Sequence, residues 1–308
     1  MKVVFWGTPE TAVPFLERLL KNHQVQAVVT QPDKPAHRGQ SVQKSPVKLL
    51  AEKNGIPVFQ PSDLRDPSFI TSLKETGADA GVVVAYGRIL PPPAIAVFSK
   101  GIYNIHFSLL PDLRGAAPIQ WAILRGLKKS GVCSFKISET LDTGEIFSKR
   151  EVALAEDETA VSLEAKLIPP GLDAMDETLQ KIKSGNLTGE PQKGTATAAP
   201  RIQKEDAKIN WSSPALDIDR KIRALARLGA FCTAPDGKNL KILAARPMGN
   251  SPNLDPGTLA GIEDKKGFVI KCGQGSLLVL RVRPEGKNEM DAWAYLQGHA
   301  FKPGARFS

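Results

Sequence analysis

The sequence contains only three cysteines, Cys133, Cys232 and Cys272, and they are far apart in the chain. An odd number of cysteines without a Cys-x-x-Cys pair argues against both a disulfide framework and a zinc site. Such residues are more often small buried hydrophobic side chains. We therefore expect a fold held by an ordinary core, and chemistry that requires no metal.

Long apolar runs are also missing. No segment approaches the roughly 20 apolar residues that a membrane-spanning helix requires, and the run at residues 1–6 is too short for the apolar region of a signal peptide. The patterns Gly-x-Gly-x-x-Gly and Gly-Lys-Ser/Thr are absent, which argues against a dinucleotide or nucleoside triphosphate loop. The expectation is a cytoplasmic protein that does not associate with membranes.

Charge is unevenly distributed over the 308 residues, whose formal net charge is +9. Residues 201–308 hold 18 Lys/Arg and 11 Asp/Glu, a net +7, and residues 1–200 hold the remaining +2. A basic C-terminal third favours a polyanionic partner, with RNA or DNA the first candidate. A solvated basic surface without a ligand explains the charge equally well, so composition leaves both interpretations open.

The N-terminal part alternates between strand-like and helix-like segments. Thr8 is predicted to cap the first helix, and Pro169 and Pro170 are expected to interrupt a later one. The alternation predicts βαβ units and a mostly parallel sheet. The predicted strands are 2–6, 25–30, 80–85, 102–105 and 132–137.

A change of composition near residue 184 divides the chain. Residues 184–200 are rich in Gly, Thr, Ala and Pro and have no apolar period, which is typical of a linker. The short β-rich runs that follow, separated by Gly and Pro, predict a small barrel or sandwich. We predict a catalytic domain at 1–183, a linker at 184–207 and a second domain at 208–308.

Asn104 and His106 lie two residues apart in a predicted strand, so their side chains point to the same face. They stand at the carboxyl end of that strand, where open α/β sheets bind ligands. Asp142 follows the next predicted strand, and a carboxylate near the imidazole favours the protonated ring. This set suits acyl transfer to an amine. A core histidine and a turn aspartate are commoner uses of these residues, and spacing alone leaves that interpretation open.

A long polar and basic loop, residues 30–44, follows the second predicted strand. Lys34, His37, Arg38 and Lys44 in this loop are suited to contacting phosphates. The length of the loop, with little predicted secondary structure, favours a functional role. An ordinary surface loop is the alternative.

A series of short motifs runs along nearly the whole chain. The motifs are Phe5-Trp-Gly-Thr-Pro-Glu, Thr30-Gln-Pro-Asp-Lys-Pro-Ala-His-Arg-Gly, Ala85-Tyr-Gly-Arg-Ile-Leu-Pro, Asn104-Ile-His-Phe-Ser-Leu-Leu-Pro, Leu141-Asp-Thr-Gly and Ala199-Pro-Arg-Ile. In their combination and order these motifs resemble the methionyl-tRNA formyltransferase family. The resemblance implies a Rossmann-like α/β domain with a mostly parallel sheet, followed by a small OB-like β-barrel, in a monomer.

The resemblance also implies an activity. Members of the family transfer the formyl group of 10-formyltetrahydrofolate to the amino group of initiator methionyl-tRNA for translation initiation. The family's catalytic residues fall on Asn104, His106 and Asp142, and the arginine that probes the tRNA acceptor end falls on Arg38, in the loop that also holds Lys34 and Lys44. The residues expected to contact the folate co-substrate are Ser108, Leu109, Leu110, Pro111, Tyr86, Gly87, Ile89 and Leu90.

Three alternatives are kept. A folate-dependent formyltransferase acting on a nucleotide-linked amino sugar would share the first domain, although the basic C-terminal third favours tRNA. An RNA-binding protein without catalysis and a folate hydrolase that uses water as the acceptor are the others. Phe107 departs from the family pattern, in which a small residue is usual, and its effect on the site is left open.

Overall fold

The computed structural model describes residues 1–33, 43–249, 253–299 and 301–308. Through residue 183 the strands are β1 (Lys2–Gly7), β2 (Gln24–Val29), β3 (Val58–Phe59), β4 (Ala80–Val84), β5 (Ile102–His106), β6 (Lys129–Lys136) and β7 (Ile146–Ala153). The helices are α1 (Val13–Asn22), α2 (Pro46–Lys53), α3 (Pro67–Glu75), α4 (Pro92–Ile95), α5 (Pro118–Leu124) and α6 (Ala160–Lys183).

The later part of the chain consists mainly of strands. Its strands are β8 (Ala230–Thr233), β9 (Asn239–Met248), β10 (Leu259–Glu263), β11 (Gly267–Lys271), β12 (Ser276–Pro284) and β13 (Met290–Asp291). Its helices are α7 (Ala215–Ala224) and α8 (Ala292–Gln297). No helix within the described ranges is both long and apolar enough to cross a membrane.

The chain forms two compact units. The first comprises Met1–Pro118, Lys129–Ala153 and Glu164–Pro200, and the second comprises Ile119–Lys128, Leu154–Leu163 and Arg201–Ser308. The segment predicted as a linker is therefore shared, with its part up to Pro200 in the first unit.

The first unit contains a seven-stranded sheet in the order β3-β2-β1-β4-β5-β6-β7. The strands from β3 to β5 are parallel, whereas β6 runs antiparallel to β5 and β7 antiparallel to β6. This confirms the mostly parallel α/β sheet. The chain reverses its direction of winding between β1 and β4, the kind of position at which open α/β sheets bind ligands at their carboxyl edge.

Burial explains the residue pattern of this unit. All five residues of β4 are buried, as expected for a strand covered on both faces. On α1 the buried residues Phe15, Leu16 and Leu19 recur at helical spacing and face the core.

Two local predictions are wrong. Thr8 does not cap a helix, because its hydroxyl donates to the Tyr86 carbonyl oxygen (3.3 Å) and a 3₁₀ turn at Glu10–Ala12 precedes α1. Pro169 and Pro170 do not interrupt α6, which continues through them. The next residue, Gly171, has no side chain where a Cβ would lie 2.9 Å from Phe15 Cζ, so the helix packs closely against the core.

The second unit contains a six-stranded antiparallel sheet. Its order is β10-β11-β12-β9-β8, with β13 paired to β12, and this confirms the predicted C-terminal β domain. The last residues of the chain lie between the two edge strands. Ser308 exchanges backbone hydrogen bonds of 2.6 and 2.9 Å with Thr233 of β8, while the Leu259 amide of β10 donates to the Ala305 carbonyl oxygen at 2.8 Å. The chain end thus pairs with one residue of each edge strand, and covering an edge is one way in which proteins prevent it from pairing with another chain.

Phe268 is a central side chain of the second unit's core. It is fully buried and stacks on Phe307, with ring centroids 5.5 Å apart. We expect Phe268→Ala to lower the free energy of unfolding by about 3–5 kcal/mol, because the cavity adds to the lost burial. Urea denaturation measures the loss, with Ile262→Ala, which truncates an exposed side chain, as the control. A loss below about 1 kcal/mol would contradict this core assignment.

Candidate functional site

The end of β5 places two polar side chains on one face of the sheet. Asn104 is half-buried and His106 is buried, and their spacing puts them on the same side of the strand. Within the described chain the Asn104 side-chain amide forms no hydrogen bond. Its donor is therefore available to a ligand.

His106 has two partners, one from the loop that follows β5 and one from the loop that follows β6; these are called the site loops below. Its Nε2 donates to the Leu113 carbonyl oxygen (3.0 Å), and its Nδ1 lies 3.9 Å from Asp142 Oδ2. The imidazole and the carboxylate are only 6% and 9% exposed. The structure thus brings together His106 and Asp142, as the sequence pattern predicted.

Asp142 reaches the histidine by an indirect route. Because β6 runs antiparallel, Lys136 at its end pairs with Tyr103, at the opposite end of β5 from His106. The loop at 137–145 therefore folds back along the sheet. The Gly115 amide donates to Asp142 Oδ2 (2.8 Å) and helps to hold the carboxylate beside His106.

Backbone strain concentrates around this site. Four non-glycine residues in the described chain have positive φ, and three of them lie in loops at or near the site: Ala85 (48°), Leu113 (59°) and Asp142 (51°). Such conformations are costly and persist where surrounding contacts impose them, often at functional sites. Both partners of His106 belong to this group.

Burial favours the neutral form of the His106 imidazole. Burial lowers the pKa of His106 below its usual 6.5, and the opposing effects of the Asp142 carboxylate and the Leu113 carbonyl are smaller. Asp142 thus favours the charged ring, as expected, but burial has the larger effect. Since Nε2 carries the proton that it donates to Leu113, Nδ1 carries a lone pair and faces Asp142.

This pKa predicts a pH-dependent stability. Between pH 6.5 and the lower pKa of the folded state, the unfolded chain binds a proton at His106 that the folded chain does not. The contribution of His106 to the free energy of unfolding is greatest above pH 6.5. It falls, as the pH decreases, by up to about 1.4 kcal/mol per pH unit. The unfolding free energy of the wild type minus that of His106→Asn should therefore shrink from pH 7.5 to 5.5 in urea titrations.

The comparison with His106→Asn cancels the contributions of the other titrating groups. Burial also lowers the pKa of His23, but that residue is present in both proteins. A difference that grows as the pH falls would show that the folded protein holds the ring charged.

The residues predicted to contact folate differ in exposure. Tyr86, Leu90, Ser108, Leu110 and Pro111 are buried, so their side chains are largely withdrawn from a ligand. Gly87 and Ile89 are exposed, Ile89 to 71%, and Leu109 is half-buried. This wall therefore offers backbone groups and the exposed aliphatic side chain of Ile89.

The basic loop is only partly described. Lys34 and Arg38, and His37 between them, lie outside the described residues. Lys44 is exposed and forms an ion pair with Glu52 (2.8 Å). No group of three or more His, Cys, Asp or Glu residues suited to a metal ion occurs in the part of the chain that the structure describes.

Phe107 does not enter the site. Its ring is buried and packs edge-on against Phe15 of α1, with centroids 6.2 Å apart. Consecutive residues of an extended chain face opposite sides, so His106 and Phe107 point away from each other. The departure from the family pattern is therefore a matter of core packing.

Two residues that the sequence patterns did not identify contact the site loops. Gln192 bonds the Asp142 carbonyl oxygen, and Thr197 bonds the Leu113 amide. Both come from the segment predicted as a linker, whose composition carries no signal that distinguishes them.

The fold and the site together define a formyl transferase. The formyl transferase family matches residues 1–179, and the C-terminal domain of formyl transferases matches residues 201–300. A methionyl-tRNA formyltransferase of Caldanaerobacter subterraneus subsp. tengcongensis is 43% identical over 307 residues, covering 99% of both chains. That of Myxococcus xanthus is 42% identical and covers 99% of this chain and 97% of its own. The chain belongs to the methionyl-tRNA formyltransferase family.

Solved structures share the fold at lower identity. HypX from Aquifex aeolicus, in complex with tetrahydrofolic acid, is 18% identical with a TM-score of 0.66; the match covers 96% of this chain and 47% of HypX, about half of that longer protein. An N-formyltransferase from Helicobacter canadensis, in complex with folinic acid and dTDP-3-aminofucose, is 23% identical with a TM-score of 0.64, covering 91% and 98%. These likenesses show the fold.

Proposed function

We propose that the protein transfers the formyl group of 10-formyltetrahydrofolate to the amino group of initiator methionyl-tRNA for translation initiation. The observation that carries the proposal is the buried His106–Asp142 pair beside the available Asn104 amide. The chain also matches a relative named methionyl-tRNA formyltransferase over 99% of its length. The folates named in the complexes of structural neighbours support the class of co-substrate.

The geometry suggests a division of roles. The acceptor amine attacks the formyl carbon; a C–N bond forms, and the carbonyl π electrons move to oxygen. The Asn104 amide donates to that oxyanion, and the exclusion of water from such a site strengthens this hydrogen bond. The amine's proton passes to His106 Nδ1, where Asp142 stabilises the transient imidazolium, and then to the folate nitrogen as its bond to the formyl carbon breaks.

The lowered pKa of His106 suits a proton carrier. A neutral ring accepts a proton, and a ring that burial makes less basic releases it readily. In this proposal the ring begins neutral and is charged only transiently, whereas the nearby carboxylate alone would favour a ring that is always protonated. No metal is needed for any of these steps, and a monomer is the state that we propose for catalysis.

Two further features support methionyl-tRNA as the acceptor: the charge of the C-terminal third and the names of the relatives. The net +7 of residues 201–308 favours a polyanion, and the full-length relatives are named for methionyl-tRNA. The nucleotide-linked amino sugar remains the alternative acceptor, supported only by structural neighbours such as the Helicobacter canadensis enzyme.

Removing either member of the proton-transfer pair should lower turnover. We expect His106→Ala and Asp142→Ala to reduce kcat by at least about 10²-fold while folate binding survives, because the lost groups act in the transition state. Steady-state formylation and titration with tetrahydrofolate measure the two effects. Glu139→Gln is the matched control, since this exposed carboxylate lies on the same loop. Near-normal kcat in either alanine variant would refute the assigned roles.

The acceptor can be identified in one assay. The protein is given 10-formyltetrahydrofolate with methionyl-tRNA, with a nucleotide-linked amino sugar, or with buffer alone. We expect the formyl group on methionyl-tRNA only, and tRNA binding that weakens steeply with salt as counterions are released. Transfer to the sugar or to water, or tRNA binding indifferent to salt, would overturn the proposed acceptor.

A further inference from the structure

Residues 189–199, here called the strap segment, run beside the two loops that hold His106. The backbone amides of Ile146 and Glu190 each donate to the other residue's carbonyl oxygen at 2.8 Å. Arg114 and Ala198 then form a parallel bridge, in which the Arg114 amide donates to the Thr197 carbonyl oxygen at 2.8 Å. All these residues belong to the first unit. The strap segment is thus bonded to the site loops along its length.

Gln192 joins the two loops through its side chain. Its Nε2 donates to the carbonyl oxygens of Asp142 (2.9 Å) and Gly144 (3.0 Å). Its Oε1 accepts from Arg114 Nε (3.2 Å) and Nη2 (2.7 Å). Both donors and both acceptor positions of the amide are occupied. A carboxylate there would keep Arg114 but present oxygen to two carbonyls.

Thr197 holds the other loop. Its Oγ1 accepts from the Leu113 amide (2.9 Å) and donates to Asp112 Oδ1 (3.3 Å). Leu113 is the residue whose carbonyl oxygen accepts from His106. Thr197 is therefore connected to the imidazole through a single residue, Leu113.

The two strap contacts fall on the two strained residues that serve His106. Asp142 and Leu113 both have left-handed backbones, which revert unless neighbours impose them. Gln192 bonds the first and Thr197 the second. Each partner of the imidazole is thus kept in place by a side chain of the strap segment.

We propose that Gln192 and Thr197 are positioning residues for formyl transfer, acting through Asp142 and Leu113 on His106, and that the strap segment is part of the active site. This inference rests on the proposed function. A shift of about 1 Å in a reacting group can cost about 10²-fold in rate, so the loss of a strap contact is expected to affect turnover.

Two substitutions remove the contacts with little change in volume. Gln192→Glu loses the donors to Asp142 and Gly144, and Thr197→Val loses the hydroxyl. We expect each to lower kcat about 10- to 100-fold with little change in the KM for methionyl-tRNA. Thr197→Ser, which keeps the hydroxyl, should restore most of the rate. Lys193→Ala, an exposed strap residue, is the matched control and should behave as the wild type.

Hydrogen–deuterium exchange tests the contacts without substrate. Exchange in peptides covering 109–117 should accelerate in Thr197→Val, and exchange in those covering 138–145 should accelerate in Gln192→Glu. Thermal melting shows whether a variant is globally unfolded, and the threonine pair keeps the test informative if Gln192→Glu does not fold.

The outcomes are distinct. Unchanged kcat in both variants, or equal losses in Thr197→Val and Thr197→Ser, would overturn the proposal. A raised KM for methionyl-tRNA with normal kcat, shared by Lys193→Ala, would also overturn it, because the strap segment would then be an acceptor contact. If the wild type formylates no acceptor, the proposed function fails, and the exchange rates alone support or overturn the hold on the loops.

Discussion

The burial of the His106 imidazole is the constraint on which the site depends. A buried polar ring is costly unless its nitrogens have partners, and here one nitrogen donates to the Leu113 carbonyl while the other faces Asp142. Neither partner lies in a relaxed backbone, since both residues are left-handed. The loops must therefore be held from outside, and the contacts of Gln192 and Thr197 do this.

The sheet topology determines how these pieces meet. The winding of the sheet reverses between β1 and β4, the position that α/β sheets use for ligands. The antiparallel pair β6 and β7 extends the sheet beyond β5, and the loop between them returns along the sheet to reach His106. The site is consequently assembled from a strand end, two loops and a segment far along the chain.

Burial also governs the chemistry that we propose. The same exclusion of water that lowers the pKa of His106 strengthens the hydrogen bond from Asn104 to a developing oxyanion. A neutral histidine paired with a carboxylate is suited to moving a proton from the incoming amine to the leaving folate nitrogen. In the proposed mechanism Asn104 and His106 therefore perform different tasks, although they share one face of β5.

Much of this was determined by the sequence. The alternation of apolar segments predicted the parallel sheet, residue spacing placed Asn104 and His106 on one face, and the motifs indicated the family, because these depend on local periodicity and chemistry. Only the tertiary structure decided the direction of β6 and β7, the continuity of α6 through Pro169, the lowered pKa of His106 and the contacts of Gln192 and Thr197. Strand direction arises from long-range pairing and a pKa from the complete surroundings of a group, and neither is encoded in the residues nearby.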